Sequence, residues 1–267
     1  METREKLEHE LAVIRQWERE QKDLWFWEKL GRLPFVLLDK LTPAFLQEKL
    51  GQAINELVEY GGRYLIQQES ILQLFKKHLS TQRQEQAENN ITIDDIGKLE
   101  LATMDEVAHH LRNNYSKVAA VQGATTGIGG LFTLAIDIPV LLGLSLKTLQ
   151  EIAICYGYDP STKHERIFIM KCLQFTAADI VGKRAILQEI SDFESETKRN
   201  SAISQLQGWR EVIITYRDNL GWKKLFQIVP IAGILFGAYV NRKTIDEIAE
   251  TGMMLYRKRR IIEKLNG

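Results

Sequence analysis

Residues 118–146 read VAAVQGATTGIGGLFTLAIDIPVLLGLSL, and Asp137 is the single formal charge in that run. The whole chain is 26% charged, so so apolar a stretch must be hidden, either among other helices or in lipid. As one helix its 29 residues would reach about 43 Å, longer than the roughly 30 Å hydrocarbon layer. Length therefore permits a membrane span. The carboxylate argues against a plain one, because an ionised Asp at mid-bilayer costs about 2.5–3.5 kcal/mol. Pro139 lacks an amide donor and predicts a kink near Ala135. In an aqueous setting Asp137 is expected to cap a helix restarting at Pro139, with Arg166 or a basic residue of the carboxyl terminus as its partner. A structural role for Asp137 ranks first, a polar group in a lipid or ligand groove second, and catalysis last.

Glycines crowd the first half of the run: Gly123, Gly127, Gly129 and Gly130. A second uncharged run, LFQIVPIAGILFGAYVN, occupies residues 225–241 and ends on Asn241. Lys223 and Lys224 precede it; Arg242 and Lys243 follow it. Gly123 with Gly127, and Gly233 with Gly237, are both GxxxG spacings, which put two small residues on one helical face and let backbones approach closely. The two runs are expected to pack on each other or to form hairpins side by side.

Outward from these runs the chain reads as all-α. It has five prolines, few alternating β-branched runs, and long segments with apolar residues three and four apart. A charged amphipathic helix is expected from about Thr3 to Leu30, with Leu7, Leu11 and Ile14 on one face, ending in Trp25, Phe26 and Trp27. Thr42 before Pro43 suits a helix start, and this helix is expected to run to Tyr60, where Gly61 and Gly62 allow a bend. A further helix should reach Lys77 or His78. Residues 80–97 lose the apolar rhythm and read as a polar loop or frayed helix end. Thr103 with Glu106, and Thr162 with Glu165, have capping-box spacing. More amphipathic helix is expected from about Ile186 to Tyr216. The domain reading is a charged amino-terminal helix over residues 1–32 and one multi-helix bundle over residues 33–267.

Composition narrows function mainly by exclusion. Lys plus Arg and Asp plus Glu number 35 each, so no global charge excess draws the molecule to nucleic acid or to an acidic surface. The aromatic residues are not interleaved with enough basic charge for nucleic-acid binding. Cys155 and Cys172 lack CxxC spacing and read as core residues in a reducing compartment. The amino terminus is too charged throughout for a secretory signal. Glu106 and His109 have ExxH spacing, but no second copy accompanies them, and the adjacent His109 and His110 face apart. No metal or other cofactor is expected. There is no GxSxG, HExxH or P-loop pattern, and no candidate catalytic residues emerge.

The pieces GATTGIGGLFTLAIDIPVL (residues 123–141), EIAICYGYDP (residues 151–160) followed by Glu165 and Arg166, IVPIAGILFGAYVN (residues 228–241) and MMLYRKRRI (residues 253–261) together resemble the EcsC family of bacterial proteins. Asp137, Ile138 and Pro139 combined with Tyr156, Gly157 and Tyr158 carry most of that resemblance, which covers roughly Pro43 to the carboxyl terminus. The family is named for a gene beside an ABC transporter operon, so the resemblance implies fold relatives and a membrane setting without a substrate.

The basic residues support that setting. Lys223, Lys224, Arg242 and Lys243 flank an apolar run, and Arg257, Lys258, Arg259 and Arg260 lie near the chain's end. Each cation close to an anionic leaflet contributes on the order of 1 kcal/mol. The same residues at helix ends would also complement the helix dipole. The leading expectation is a non-enzymatic, cytoplasmic accessory protein held peripherally at the inner face of the membrane, its partner an anionic lipid, an apolar ligand or a transporter. The alternatives are a soluble helical scaffold for a protein partner and, behind it, a hydrolase acting through Asp137.

Overall fold

The computed structural model describes residues 2–21, 68–83, 91–126, 131–178, 180–195 and 230–266. Among the described residues there are eight helices and no strand: α1 (Arg4–Glu20), α2 (Gln68–Arg83), α3 (Ile93–Gly97), α4 (Leu101–Thr126), α5 (Leu131–Cys155), α6 (Lys163–Ala177), α7 (Ile180–Ser195) and α8 (Pro230–Asn266). The all-α reading holds. Expectations for the aromatic cluster at residues 25–27, the helix starting at Thr42 and, beyond residue 195, the helix expected from about Ile186 to Tyr216 fall outside the described residues, as do Lys223 and Lys224.

The long run at residues 118–146 is not one rod. It comprises the end of α4 and the first half of α5, with residues 127–130 between them outside the described set. Among the described residues no helix is long and apolar enough to cross a membrane. No helix begins at Pro139, which lies inside α5. Asp137 is therefore not at the helix start proposed for it, and its side chain is outside the described set.

The organising element is α8, which packs against α1, α4, α5 and α6. Its closest companion is α4, and cross-helix pairs show that the two run antiparallel. Asp105 meets Arg257, Arg112 meets Asp246 and Glu250, and Gly123 meets Gly237. α5 fills the angle between them through Leu142, Leu146, Leu149 and Ile152, all nearly or fully buried. Gly252 of α8 makes room there, since a Cβ on it would lie 2.8 Å from a Leu149 methyl.

α1 follows from its sequence. Thr3 caps it by accepting from the Lys6 amide, and Leu7, Leu11, Ile14 and Trp17 form the buried stripe that a 3.6-residue period requires. Its described length ends at Gln21. α2 continues past His78 to Arg83, so part of the polar segment is helix. A second part is the short α3, started by a capping box in which Thr92 and Asp95 satisfy each other's amides and anchored by buried Ile93 and Ile96. The expected box at Thr103 is not formed: α4 already begins at Leu101, whose amide donates to the Glu2 carboxylate at 2.8 Å. At Thr162 half the expected box is present. Its hydroxyl accepts from the Glu165 amide, while the Glu165 carboxylate goes elsewhere.

Candidate functional site

The α4/α8 pair has two unlike ends, and each holds part of the sequence's candidate set. The first, here the charged end, gathers around the turn that closes α5. The Gly157 amide donates to the Ile154 carbonyl and the Tyr158 amide to the Ala153 carbonyl, which is the Schellman arrangement and places Gly157 in the left-handed region at φ 77°. A side chain is doubly excluded at that position. Besides the backbone strain, a Cβ would lie 2.4 Å from Gly97 Cα at the end of α3.

The carbonyl oxygens this turn leaves over are taken by α8. Arg260 donates to the Tyr156 carbonyl through Nε at 2.9 Å and Nη2 at 2.6 Å, and to the Gly157 carbonyl at 3.2 Å. Arg259 makes a two-pronged ion pair with Glu165 at 2.8 Å on each prong, and both side chains are buried. The Arg259 guanidinium also lies over the rings of Tyr158, at 4.1 Å, and Phe168, at 4.3 Å. Burial works against the charge of Arg259, and the hydrogen bonds and charge of Glu165 more than offset it, so its pKa stands above the ordinary arginine value. Arg257 pairs with Asp105 on α4 and with Glu10 on α1, both at 2.9 Å. The Tyr156 hydroxyl donates to Asp105 at 2.7 Å. Lys258 reaches Glu18 of α1 at 2.7 Å.

The four cations 257–260, considered from sequence as facing a membrane, are thus all engaged by groups of this chain. Arg166, the candidate partner of Asp137, is exposed on α6. Tyr156 and Gly157 belong to the turn, with Tyr156 fully buried.

This end is built to hold. Burial pushes the thiols of Cys155 and Cys172 and the hydroxyl of Tyr156 well above their usual pKa values, so none is an activated nucleophile. Among the described residues no group of three or more His, Cys, Asp or Glu side chains is placed to hold a metal ion.

The second end is the glycine end. There the backbones of α4 and α8 approach closely: a Cβ on Gly123 would lie 2.1 Å from the Gly237 carbonyl oxygen. Gly127, Gly129 and Gly130 are outside the described residues, and only the backbones of Pro139 and Gly233 are described. Asn241 is fully buried. Four large apolar side chains are exposed at this end: Val118 and Val121 of α4, Val140 of α5 and Tyr239 of α8, the last 61% exposed. Arg242 and Lys243 are exposed one turn beyond Tyr239 on the same face of α8. Lys117 is exposed next to Val118.

Between the two ends lies a polar seam that sequence reasoning missed. Arg112 of α4 bridges Asp246 at 2.7 Å and Glu250 at 3.2 Å, and the Tyr115 hydroxyl donates to Glu151 of α5 at 2.6 Å. The four-residue spacing of Asp246 and Glu250 was the available signal, since it places two carboxylates on one helical face for a single guanidinium.

A family model described as the EcsC protein family matches residues 8–261, beginning inside α1. The chain is 54% identical over 267 residues to Uncharacterized protein YdbA of Bacillus subtilis (strain 168), covering 99% of this chain and 96% of that one. It is 32% identical over 165 residues to Protein EcsC of the same organism, covering 62% of this chain and 67% of that one. No solved structure matches.

Proposed function

This chain belongs to the EcsC protein family, and on that premise we propose that it is a non-enzymatic accessory protein that rests on an anionic membrane surface by its glycine end, serving a transport or envelope process. The observation that carries this reading is the face of α8 formed by Tyr239, Arg242 and Lys243, all exposed. An aromatic ring beside two cations suits the headgroup layer, where the ring sits at the boundary and each cation adds on the order of 1 kcal/mol. The exposed valines 118, 121 and 140 add apolar surface at the same end. The chain's least charged segments converge there, while the tetrad 257–260 is tied up at the other. Contact with the membrane therefore falls to the glycine end, and it is peripheral.

The test is sedimentation with vesicles at low salt. Wild-type protein should bind vesicles containing phosphatidylglycerol and not those of phosphatidylcholine alone, with binding falling as salt screens the charges. Arg242→Glu with Lys243→Glu should weaken binding at least about tenfold, since two attractions become repulsions. Absence of binding by the wild type, or binding indifferent to the double reversal, would remove the proposal in favour of a helical scaffold for a protein partner.

A further inference from the structure

The exposed cations at the glycine end begin a row that continues under α1. Lys243, Glu250, Arg257 and Lys264 recur every seven residues on α8, which keeps them on one face with only a slow drift. The first of them is exposed and pairs within its own helix with Glu247 at 3.6 Å. α1 and the residue before its cap engage the other three: Trp17 Nε1 donates to Glu250 at 3.1 Å, Glu10 accepts from Arg257 at 2.9 Å and Glu2 accepts from Lys264 at 2.6 Å. Glu18 takes the neighbouring Lys258 at 2.7 Å. Three carboxylates spaced eight residues apart, Glu2, Glu10 and Glu18, thus line the edge of α1 that meets the basic part of α8. At Arg257, Lys258 and Lys264 the carboxylates come from the amino-terminal segment and the cations from α8, while at Glu250 it is α8 that supplies the acid. Leu7, Leu11, Ile14 and Trp17 supply its apolar attachment.

We propose that α1 is a detachable strap whose carboxylates occupy the positions anionic lipid headgroups would take, so that its release opens a second basic patch on α8 formed by Arg257, Lys258 and Lys264. This rests on the membrane reading above and adds a regulated second footprint to it. Asp246, Glu247 and Glu250 separate this patch from the exposed cations of the glycine end, and its occupant is committed by charge: an array of anions meets Arg257, Lys258 and Lys264 as Glu10, Glu18 and Glu2 now do. Arg257 keeps Asp105 as a second partner and Lys264 keeps the Leu99 carbonyl. Lys258 therefore gains most from the exchange.

The test uses full-length protein, phosphatidylglycerol/phosphatidylcholine vesicles and two charge-matched variants. Glu10→Gln with Glu18→Gln removes two carboxylates that face α8. Glu8→Gln with Glu20→Gln removes two exposed carboxylates that pair within α1, with Arg4 and Gln16. The first variant should bind vesicles about tenfold more tightly than wild type, the gain expected when one or two further cations reach an anionic surface, and its α1 amides should exchange faster. The second should bind within about twofold of wild type. Adding Lys258→Gln to the first variant should cancel most of its gain. Equal gains in both variants would mean that net charge alone is at work and would overturn the strap. So would an unchanged first variant while wild-type binding still depends on Arg242 and Lys243, a result that leaves the membrane reading standing. If no variant binds at all, both fall. Melting each variant beforehand shows which are folded, and the Lys258→Gln step supplies a readout should the double Gln variant be partly unfolded.

Discussion

At the charged end side chains join α8 to α4, to α6 and to the turn after α5, and at the glycine end α8 meets α4 by backbone. Around Arg257, Arg259 and Arg260 every contact is a guanidinium meeting a carboxylate, a ring or a carbonyl oxygen, with Asp105, Glu165 and the turn at Tyr156 as partners. At Gly123 and Gly237 nothing is interposed. Ion pairs fix direction and register, because a guanidinium satisfies only the carboxylate placed for it. Backbone contact gives closeness, and on the outward face of α8 Lys243 pairs within its own helix, with Glu247 at 3.6 Å. With that division, Val118, Val121, Val140 and Tyr239 and the exposed Arg242 and Lys243 fall at one end, whereas residues 257–260 are tied to other elements of the fold at the other.

The comparison breaks most easily at Arg259. Replacing it with Met leaves Glu165 buried without its partner, and loss of one member of a buried pair costs about 3–5 kcal/mol. A denaturant titration should show that loss, and Arg259→Met combined with Glu165→Leu should recover a large part of it. If the single substitution costs less than about 1 kcal/mol, the buried ion pair does not fasten α8 to α6 at the charged end. Next in size is Gly123→Ala. The added methyl meets a carbonyl oxygen that can yield only by moving α8, and overpacking of this kind costs about 1–3 kcal/mol. Gly252→Ala is the matched control: it meets the tip of Leu149, a movable side chain, and gains helix propensity of up to about 1 kcal/mol, so its net effect should be near zero.

The smallest effect sharpens the comparison from between the ends. Burial raises the pKa of Glu151 above the ordinary glutamate value, against the opposing hydrogen bond from Tyr115 and the charge of Lys147. A carboxyl raised on folding binds more protons in the native state than in the unfolded state. Its contribution is therefore fully present below the unfolded pKa and declines as pH rises through the folded one. Glu151→Gln should flatten that slope in melting curves taken upward from the ordinary glutamate value of 4.5, with less than about 1 kcal/mol change at neutral pH. A slope unchanged by the substitution would assign the pH dependence to another group.

Much of this was legible in the sequence. Low β-branched alternation and long three-and-four spacing specified helices, and the buried stripe Leu7, Leu11 and Ile14 was readable by period alone. One glycine from each low-charge run could be named as a point of close approach, because only small residues allow it. What stayed hidden were choices settled by tertiary contact. Glu165 has the spacing to complete its own cap, yet a buried Arg259 outcompetes a solvated amide for the carboxylate. Thr103 has cap spacing too, but the helix begins earlier, where Glu2 of a distant segment supplies the acceptor. The cations 257–260 read as a free basic patch because sequence shows charge and not partner, and Glu10, Glu18, Asp105 and Glu165 lie far away in the chain. The Tyr-Gly-Tyr motif was visible as a pattern, while its reason, a left-handed turn pressed against Gly97, needed coordinates.

The division of labour between the ends can be read with one probe in two places. Both native cysteines are buried, so a polarity-sensitive fluorophore attaches selectively to Tyr239→Cys at the glycine end or to Ser161→Cys in the exposed turn at the charged end, about 30 Å apart along the bundle by the rise of α8. On addition of phosphatidylglycerol vesicles the probe at position 239 should shift to the blue as it enters the headgroup boundary, while the probe at position 161 should report water throughout. A shift at 161 alone, equal shifts at both, or none at either would contradict the assignment of the membrane-facing surface to the glycine end.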